Sequence, residues 1–125
     1  MPRLTIDNMP IDVPTGSSVL DAARKLGIDI PSLCYHERYH PATACMLCLV
    51  RVLPSDRLIP SCATPAEEGM QVQSETPAIR AVRRAGLELL LSDHAGDCIA
   101  PCQTACPTHV DLPTMLRQVA TGQLH

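Results

Sequence analysis

The stretch that decides the fold runs from Ser32 to Cys62, SLCYHERYHPATACMLCLVRVLPSDRLIPSC. Its four cysteines are separated by ten, two and thirteen residues, at Cys34, Cys45, Cys48 and Cys62. A Cys-x-x-Cys pair in a tight loop aims two sulfurs at one point, and the flanking cysteines can close the opposite side. Four thiolates in this pattern suit a 2Fe-2S cluster. They also suit structural zinc, which takes four thiolates in a tetrahedral site.

The composition limits the size of the protein and the classes of partner. A chain of 125 residues suits one domain, or one small domain with an appendage. Apolar residues make up 46% of it, but Trp and Phe are absent, so the core must be built from aliphatic side chains and Met. The net charge of -3 gives no electrostatic reason to bind nucleic acid or an anionic membrane.

The N-terminal sequence favours a cytoplasmic location. MPRLTID lacks the basic and apolar regions of a signal peptide, and no apolar run is long enough for direct membrane insertion. In a reducing cytoplasm the seven cysteines, an odd number, do not form a disulfide framework. Ligation of metals or clusters is therefore the leading explanation for all seven.

The sequence around the four cysteines predicts an α+β domain over residues 1–76. Residues 4–13 alternate as a strand pair with a turn at 7–10, and residues 48–53, 58–60 and 70–73 are predicted strands. Between them, residues 19–26 have helical periodicity, with Ser18 and Asp21 placed to cap the first turn.

Residues 77–125 are predicted to form a helical extension. A helix begins near Pro77 and ends near Asp93, and its apolar stripe consists of Ile79, Val82, Leu89 and Leu90. Its arginines are predicted to form a solvated face, with docking of a partner as the alternative; they are Arg80, Arg83 and Arg84. A last helix is predicted between Asp111 and Gly122, with an apolar stripe of Leu112, Met115, Leu116 and Val119.

The extension also carries a second cysteine-rich segment, with Cys98, Cys102 and Cys106 three residues apart and His94 ahead of them. Three thiols in one compact loop suit a 4Fe-4S cluster, which often takes a remote fourth ligand. His94 either completes that set or caps the preceding helix, where a cationic imidazole is favoured. The alternative is a partly occupied or empty site, because three thiols leave a cluster under-ligated. Three other histidines are predicted to be loop or surface residues, namely His36, His40 and His109.

Several motifs together resemble a known family. They are Cys34-Tyr35-His36, Cys45-Met46-Leu47-Cys48-Leu49-Val50, Ser61-Cys62-Ala63-Thr64-Pro65 and Glu68-Gly69-Met70. The pattern resembles the N-terminal ferredoxin-like region of the large iron-sulfur subunit of respiratory complex I, of iron-only hydrogenases and of NAD-linked formate dehydrogenases. This resemblance covers roughly residues 3–98 and implies a β-grasp fold, with the 2Fe-2S cluster held by the four cysteines of the first stretch. It also implies that His94 ligates a 4Fe-4S cluster.

The chain departs from that family around the central cysteine pair, and its likeness changes further along. Family members commonly have Gly and Arg where this chain has Thr43, Ala44 and Met46. From residue 101, the sequence PCQTACPTHVDLP resembles the start of glutamate synthase small subunits and dihydropyrimidine dehydrogenases, ahead of their FAD and NADPH domains. This second resemblance implies the electron-entry part of a longer flavin oxidoreductase, or a small subunit that docks on one.

We therefore predict an iron-sulfur electron-transfer module that relays single electrons between a flavin or NAD(P)H oxidoreductase partner and a second redox unit. One-electron transfer requires no nucleophile or substrate pocket, so no catalytic residue is assigned. No Gly-rich nucleotide-binding pattern occurs, so we do not expect the chain alone to turn over a substrate and predict an electron-transfer subunit or the N-terminal part of an oxidoreductase. The alternative is a zinc-stabilised interaction module without redox activity, and a complete enzyme would need more chain.

Overall fold

The structure of the protein, a computed structural model, describes residues 1–93 and 99–123. Its elements in chain order are β1 (Arg3–Ile6), β2 (Met9–Asp12), α1 (Val19–Lys25), β3 (Leu49–Leu53), β4 (Arg57–Pro60), β5 (Gln71–Gln73), α2 (Pro77–Ser92), α3 (Pro101–Thr104) and α4 (Leu112–Ala120). The chain divides into two compact units, the first ending at Asp93 and the second containing residues 99–123. None of the helices described is long and apolar enough to span a membrane.

A five-stranded sheet in the order β2-β1-β5-β3-β4 forms the first unit. β1 and β5 pair in parallel at its centre, with Ile6 opposite Val72, and the other neighbours are antiparallel. Helix α1 contributes buried side chains to the same core as the central strands, including Val19 and Leu20. This order of strands, with a helix between the first and second hairpins, is the β-grasp arrangement. The predicted α+β ferredoxin-like fold is therefore confirmed.

The first hairpin closes through a two-residue turn, Asp7-Asn8. Both residues have positive φ angles, 48° and 67°, which match the twist of the flanking strands in a two-residue hairpin. The Asp7 carboxylate accepts hydrogen bonds from the Ser74 backbone N–H, at 2.8 Å, and from the Ser74 hydroxyl. The turn is thereby fastened to the chain that leaves β5, a contact that the strand pattern did not predict.

Helix α1 begins with the predicted cap. The Ser18 hydroxyl accepts from the Asp21 N–H, at 3.1 Å, and the Asp21 carboxylate accepts from the Ser18 N–H, at 3.0 Å. The Tyr35 hydroxyl also donates to Asp21, at 3.4 Å, and the Arg24 guanidinium lies 4.9 Å from the centre of the Tyr35 ring. Partial burial opposes ionisation of Asp21, but the hydrogen bonds from Ser18 and Tyr35 lower the pKa of its carboxyl. Tyr35, the residue after Cys34, is thus hydrogen-bonded to the first turn of α1.

Helix α2 begins and ends as predicted, but its orientation corrects two expectations. Its buried side chains are Ile79 and Arg83, whereas three residues of the predicted apolar stripe are exposed, namely Val82, Leu89 and Leu90. Arg83 is therefore not part of a solvated face. The helix packs on β3 and belongs to the first compact unit instead of the extension. The physical reason is that Arg83 finds buried carbonyl groups to which it can donate.

The second unit contains α3 and α4. The Asp111 carboxylate accepts from the Thr114 N–H, at 3.1 Å, and caps α4 as predicted. Gly122 has a φ of 70° just after the helix, which agrees with the predicted stop. Helix α3, only four residues long, was not predicted. The apolar residues Met115, Leu116 and Val119 of α4 are exposed.

Replacing Ser18 with Ala should lower the free energy of unfolding by about 1 kcal/mol, because the first turn of α1 loses its side-chain cap. The neighbouring serine supplies the control, since only its backbone makes hydrogen bonds. Ser17→Ala should therefore change stability little. Urea unfolding followed by circular dichroism measures both variants, and equal losses would contradict the assigned cap.

Candidate metal centre

Pairing of β3 with β4 brings two of the four cysteines together. Cys48 immediately precedes β3 and Cys62 follows β4, and Leu49 lies opposite Pro60 in the antiparallel register. Both cysteines are consequently at the same end of this strand pair. Ser61, which is fully buried, fastens them: its N–H and its hydroxyl donate to the Cys48 carbonyl at 3.1 and 2.7 Å.

The backbone of α1 holds the Cys62 segment from its other side. The Leu20 N–H donates to the Ser61 carbonyl at 3.0 Å, and the Val19 N–H donates to the Thr64 carbonyl at 2.9 Å. The first N–H groups of a helix have no partner inside the helix, so this loop satisfies them. The helix and the cysteine loop therefore fix each other's position.

The four thiols of the first unit lie in and beside the apolar core. Cys45, Cys48 and Cys62 are buried, with 4%, 1% and 2% of their surface exposed, and Cys34 is half-buried. The six cysteines within residues 1–93 and 99–123 are all free thiols. The four thiols of the first unit are thus largely shielded from solvent, as the ligands of a protein-bound cluster need to be.

Electrostatic interactions connect all four of these thiols. Burial raises the pKa of the Cys62 thiol to about 12, together with a hydrogen bond to the Cys48 thiol and the charges of Cys48, Cys34 and Cys45. Such charge interactions weaken with separation, so the other three cysteines lie near enough to Cys62 to influence its ionisation. The β3-β4 register places Cys48 and Cys62 at one end of a strand pair, and ligation of one centre by all four cysteines stays a prediction.

The loop backbone is arranged to stabilise negative charge at Cys45. Although burial opposes ionisation, hydrogen bonds from the backbone of Leu47, Cys34 and Leu33 and from the Cys34 thiol lower the pKa of the Cys45 thiol to about 7. An oxidised 2Fe-2S centre with four thiolate ligands is anionic, and N–H groups directed at the sulfurs stabilise it. The donor set and the surrounding backbone therefore fit this group.

Two residues of the loop adopt left-handed backbone conformations. Thr43 and Met46 have φ angles of 51° and 56°. A residue with a side chain pays a steric cost of about 1 kcal/mol in this region, which glycine avoids. These are two of the three positions at which the chain departs from the family pattern.

Helix α2 covers the same loop. A Cβ atom built on Gly86 would lie 3.6 Å from the Cys45 carbonyl oxygen and 3.8 Å from the Met46 Cβ. One turn earlier, Arg83 donates to the Leu49 carbonyl from Nε, at 3.0 Å, and from Nη2, at 2.6 Å. Sequence analysis missed the role of Arg83, although its spacing from Ile79 and Gly86 places all three on one face of the helix.

Cys106 lies in the second unit, in a turn that also favours a thiolate. The Thr108 hydroxyl lies 3.2 Å from its sulfur, and the backbone of Val110, Thr108 and His109 donates further hydrogen bonds. These contacts, with the hydroxyl first among them, lower the pKa of the Cys106 thiol. Cys102 is exposed on α3. The other members of the predicted second set, Cys98 and His94, lie outside the described residues.

The described parts of the chain contain no ready-made site for a single metal ion. Within residues 1–93 and 99–123, no three His, Cys, Asp or Glu side chains converge as ligands of one metal ion. A β-grasp fold with four free cysteines in and beside its core, two of them at one end of the β3-β4 pair, is typical of a ferredoxin-like domain. The comparisons with known proteins identify the family.

A family model of 2Fe-2S iron-sulfur cluster binding domains matches residues 2–77, well over half of the chain. The chain belongs to this family. The assignment supports the 2Fe-2S interpretation of the four thiols over structural zinc.

Relatives with this domain occur in NADH- and NADP-linked oxidoreductases and hydrogenases. A subunit of the NADH-quinone oxidoreductase of Rhizobium meliloti (strain 1021) is 45% identical over 98 residues, 78% of this chain and 12% of that protein. The HndD subunit of the NADP-reducing hydrogenase of Solidesulfovibrio fructosivorans is 44% identical over 104 residues, 79% and 18% of the respective lengths. The predicted resemblance to complex I and hydrogenase subunits is therefore confirmed.

A solved structure shares the fold. The NAD⁺-reducing [NiFe]-hydrogenase in the H2-reduced state matches with a TM-score of 0.69 and 36% sequence identity, over 78% of this chain and 41% of that one. The chain spans less than a fifth of the length of the two curated relatives above. What it shares with them is the 2Fe-2S domain.

Gly86 offers a test of the packing of α2 on the cysteine loop. Gly86→Ala should increase stability by up to about 1 kcal/mol, because the new methyl group fits at van der Waals distance and alanine favours the helix. Gly86→Leu should instead displace the loop and reduce cluster content. Urea unfolding and the visible absorption of the iron-sulfur protein measure the two effects. A leucine variant with full cluster content would contradict the close approach of the helix.

Thr108 offers a test of the environment of Cys106. Thr108→Val should raise the pH at which Cys106 becomes reactive, because the thiolate loses its hydroxyl donor while the backbone donors stay. The measurement is the rate of alkylation of Cys106 against pH in metal-free protein, followed by mass spectrometry. Thr104→Val is the matched control, since Thr104 donates to the Ala100 carbonyl instead. Identical profiles for Thr108→Val and wild type would contradict the assigned hydrogen bond.

Proposed function

We propose that this chain relays single electrons through a 2Fe-2S cluster held by Cys34, Cys45, Cys48 and Cys62. The observation that supports the proposal is the burial of Cys45, Cys48 and Cys62, with Cys34 half-buried, inside the domain that the 2Fe-2S family match covers. The cluster, when bound, would supply the one-electron chemistry. The family match ends at residue 77, which supports residues 1–76 as the cluster domain.

The chain's own residues would bind the group, exclude water and stabilise negative charge. Burial of Cys45, Cys48 and Cys62 limits solvent access, which is one of the factors that set reduction potential. The backbone donors around Cys45 favour the thiolate form that ligation requires. No proton has to move in such a transfer, so no acid or base is assigned.

Electrons would enter or leave beside the cysteine loop. Leu33 and Met46 directly flank Cys34 and Cys45, and 66% and 43% of their surfaces are exposed. Exposed apolar side chains that border a polar surface are typical of protein contacts. A partner that covers them would come close to the cluster, which short-range electron transfer needs.

The partner we propose is an NAD(P)H- or flavin-linked oxidoreductase subunit or domain. Relatives of this chain are named as subunits of NADH-quinone oxidoreductase and of an NADP-reducing hydrogenase. The exposed apolar residues of α2 and α4 are further candidates for contact with such a protein; they include Leu89, Leu91 and Leu116. A reducing compartment, the cytoplasm, suits the six free thiols.

The second cysteine segment would hold a 4Fe-4S cluster. Cys98, Cys102 and Cys106 would be three of its ligands and His94 the fourth. The lowered pKa of the Cys106 thiol and its backbone donors support this assignment. An electron could then pass between two centres in one chain.

Two single substitutions distinguish the proposed 2Fe-2S cluster from the proposed 4Fe-4S cluster. Cys48→Ser should abolish or severely perturb the 2Fe-2S signal and leave any 4Fe-4S signal intact, whereas Cys102→Ser should do the reverse. Low-temperature EPR of the anaerobically prepared, reduced protein distinguishes the two signals. Iron and acid-labile sulfide, counted per chain, show whether zero, one or two centres assemble.

A colourless protein that binds zinc and gives no EPR signal after reduction would overturn the proposed function. Loss of both signals in Cys48→Ser would show that the two sites are not independent. A serine in place of Cys34, which is less buried than Cys48, provides a second variant of the same cluster should Cys48→Ser fold poorly.

A further inference from the structure

Arg83 is a charged side chain buried in the first unit. Only 8% of its side chain is exposed, and it lies on the inner face of α2. Burying a cation is costly unless hydrogen bonds and an opposite charge compensate for the lost water. Such a residue therefore calls for an explanation beyond the packing of one helix.

The hydrogen bonds of Arg83 place it beside a cysteine of the candidate centre. Its Nε and Nη2 atoms donate to the Leu49 carbonyl, and Nη2 also donates to the Ser74 carbonyl, at 2.9 Å. Leu49 directly follows Cys48, whose sulfur belongs to the cluster set. Burial lowers the pKa of Arg83, while the charges of Glu75 and Cys48 oppose that change. The guanidinium thus lies against the residue that follows Cys48, within range of that cysteine's charge.

The counter-ion of Arg83 cancels only part of this charge at the cluster. The Glu75 carboxylate lies 3.1 Å from Nη1, but 47% of its side chain is exposed, and it is shared with the exposed Arg80 at 2.8 Å. Water screens an exposed carboxylate far more than a buried guanidinium. The pair therefore presents a net positive field on its buried side.

We propose that Arg83 raises the reduction potential of the 2Fe-2S cluster by stabilising the additional negative charge of its reduced form. Reduction adds one electron, supplied by the NAD(P)H- or flavin-linked partner or by a chemical reductant, and no bond or proton changes. The guanidinium would act through its electric field at the Cys48 sulfur, because its hydrogen bonds go to the Leu49 and Ser74 carbonyls. The inference rests on the proposed ligation by Cys48.

The test is a redox titration of the cluster-loaded full chain, followed by EPR or visible absorption. Arg83→Gln removes the charge and keeps side-chain donors. At a fixed potential, its ratio of reduced to oxidised cluster should fall about tenfold, a shift of about 59 mV to more negative values. Arg83→Lys keeps the charge and should stay close to wild type.

Arg84→Gln is the matched control. It makes the same change of charge one residue further along α2, where 80% of the side chain is exposed and its partner is Glu88 at 2.8 Å. Solvent screens that position, so the potential should remain at the wild-type value. A shift in Arg84→Gln equal to that in Arg83→Gln would overturn the assignment to Arg83.

Glu75→Gln tests the same electrostatic effect, with a shift of the reduction potential expected in the opposite direction. It removes the counter-charge and keeps Arg83 in place, so the potential should move to more positive values. An unchanged or more negative potential would overturn the inference, even if Arg83→Gln fails to fold. Equal shifts in Arg83→Lys and Arg83→Gln would show that Arg83 has only a structural role and would also overturn it.

A separate measurement distinguishes failure of the proposed function from failure of the proposal about Arg83. Iron and sulfide counts on the wild-type chain, made before any titration, show whether the 2Fe-2S cluster is present. Wild-type protein without iron would overturn both proposals. A cluster with a potential insensitive to Arg83 and Glu75 would overturn only this one.

Discussion

The structure depends most on the antiparallel pairing of β3 and β4. This register places Cys48 and Cys62 at one end of the pair, although thirteen residues separate them in sequence. The two donors of Ser61 then fix the distance between the segments at the Cys48 carbonyl. A strand slip of one residue would reverse the side-chain directions and separate the thiols. The site is therefore a property of the sheet as much as of the cysteine loop.

Negative charge on the cysteine sulfurs is the second constraint. Groups from different parts of the chain stabilise it. Burial, and then the neighbouring cysteines, raise the pKa of Cys62, so several thiolates in this domain are costly unless other groups compensate. Backbone donors compensate at Cys45, and a buried guanidinium from α2 compensates near Cys48. Helix α2 is consequently tied to the cysteine region by polar contacts, which explains why it belongs to the first compact unit.

The sequence predicted the fold because the strands and helices leave strong local patterns, and the cysteine spacing selected the four candidate ligands in the same way. Alternation, a capping serine and the cysteine spacing are each readable over a few residues. The orientation of α2 was not predictable by apolar periodicity, since an arginine occupies its buried face and several leucines are exposed. Arg83 satisfies carbonyl groups of Leu49 and Ser74, and such tertiary acceptors are invisible in a one-dimensional pattern. The contact between Asp7 and Ser74 was missed for the same reason.

The left-handed conformations of Thr43 and Met46 have a consequence for the metal-free chain. Glycine at these positions would remove the steric strain from the folded loop. It would also increase the number of backbone conformations that the loop can adopt in the metal-free chain. Residues with a Cβ atom reduce the number of conformations, but they add some steric strain to the folded state. The loop of this protein therefore starts from fewer backbone conformations than the same loop would with glycine at these two positions.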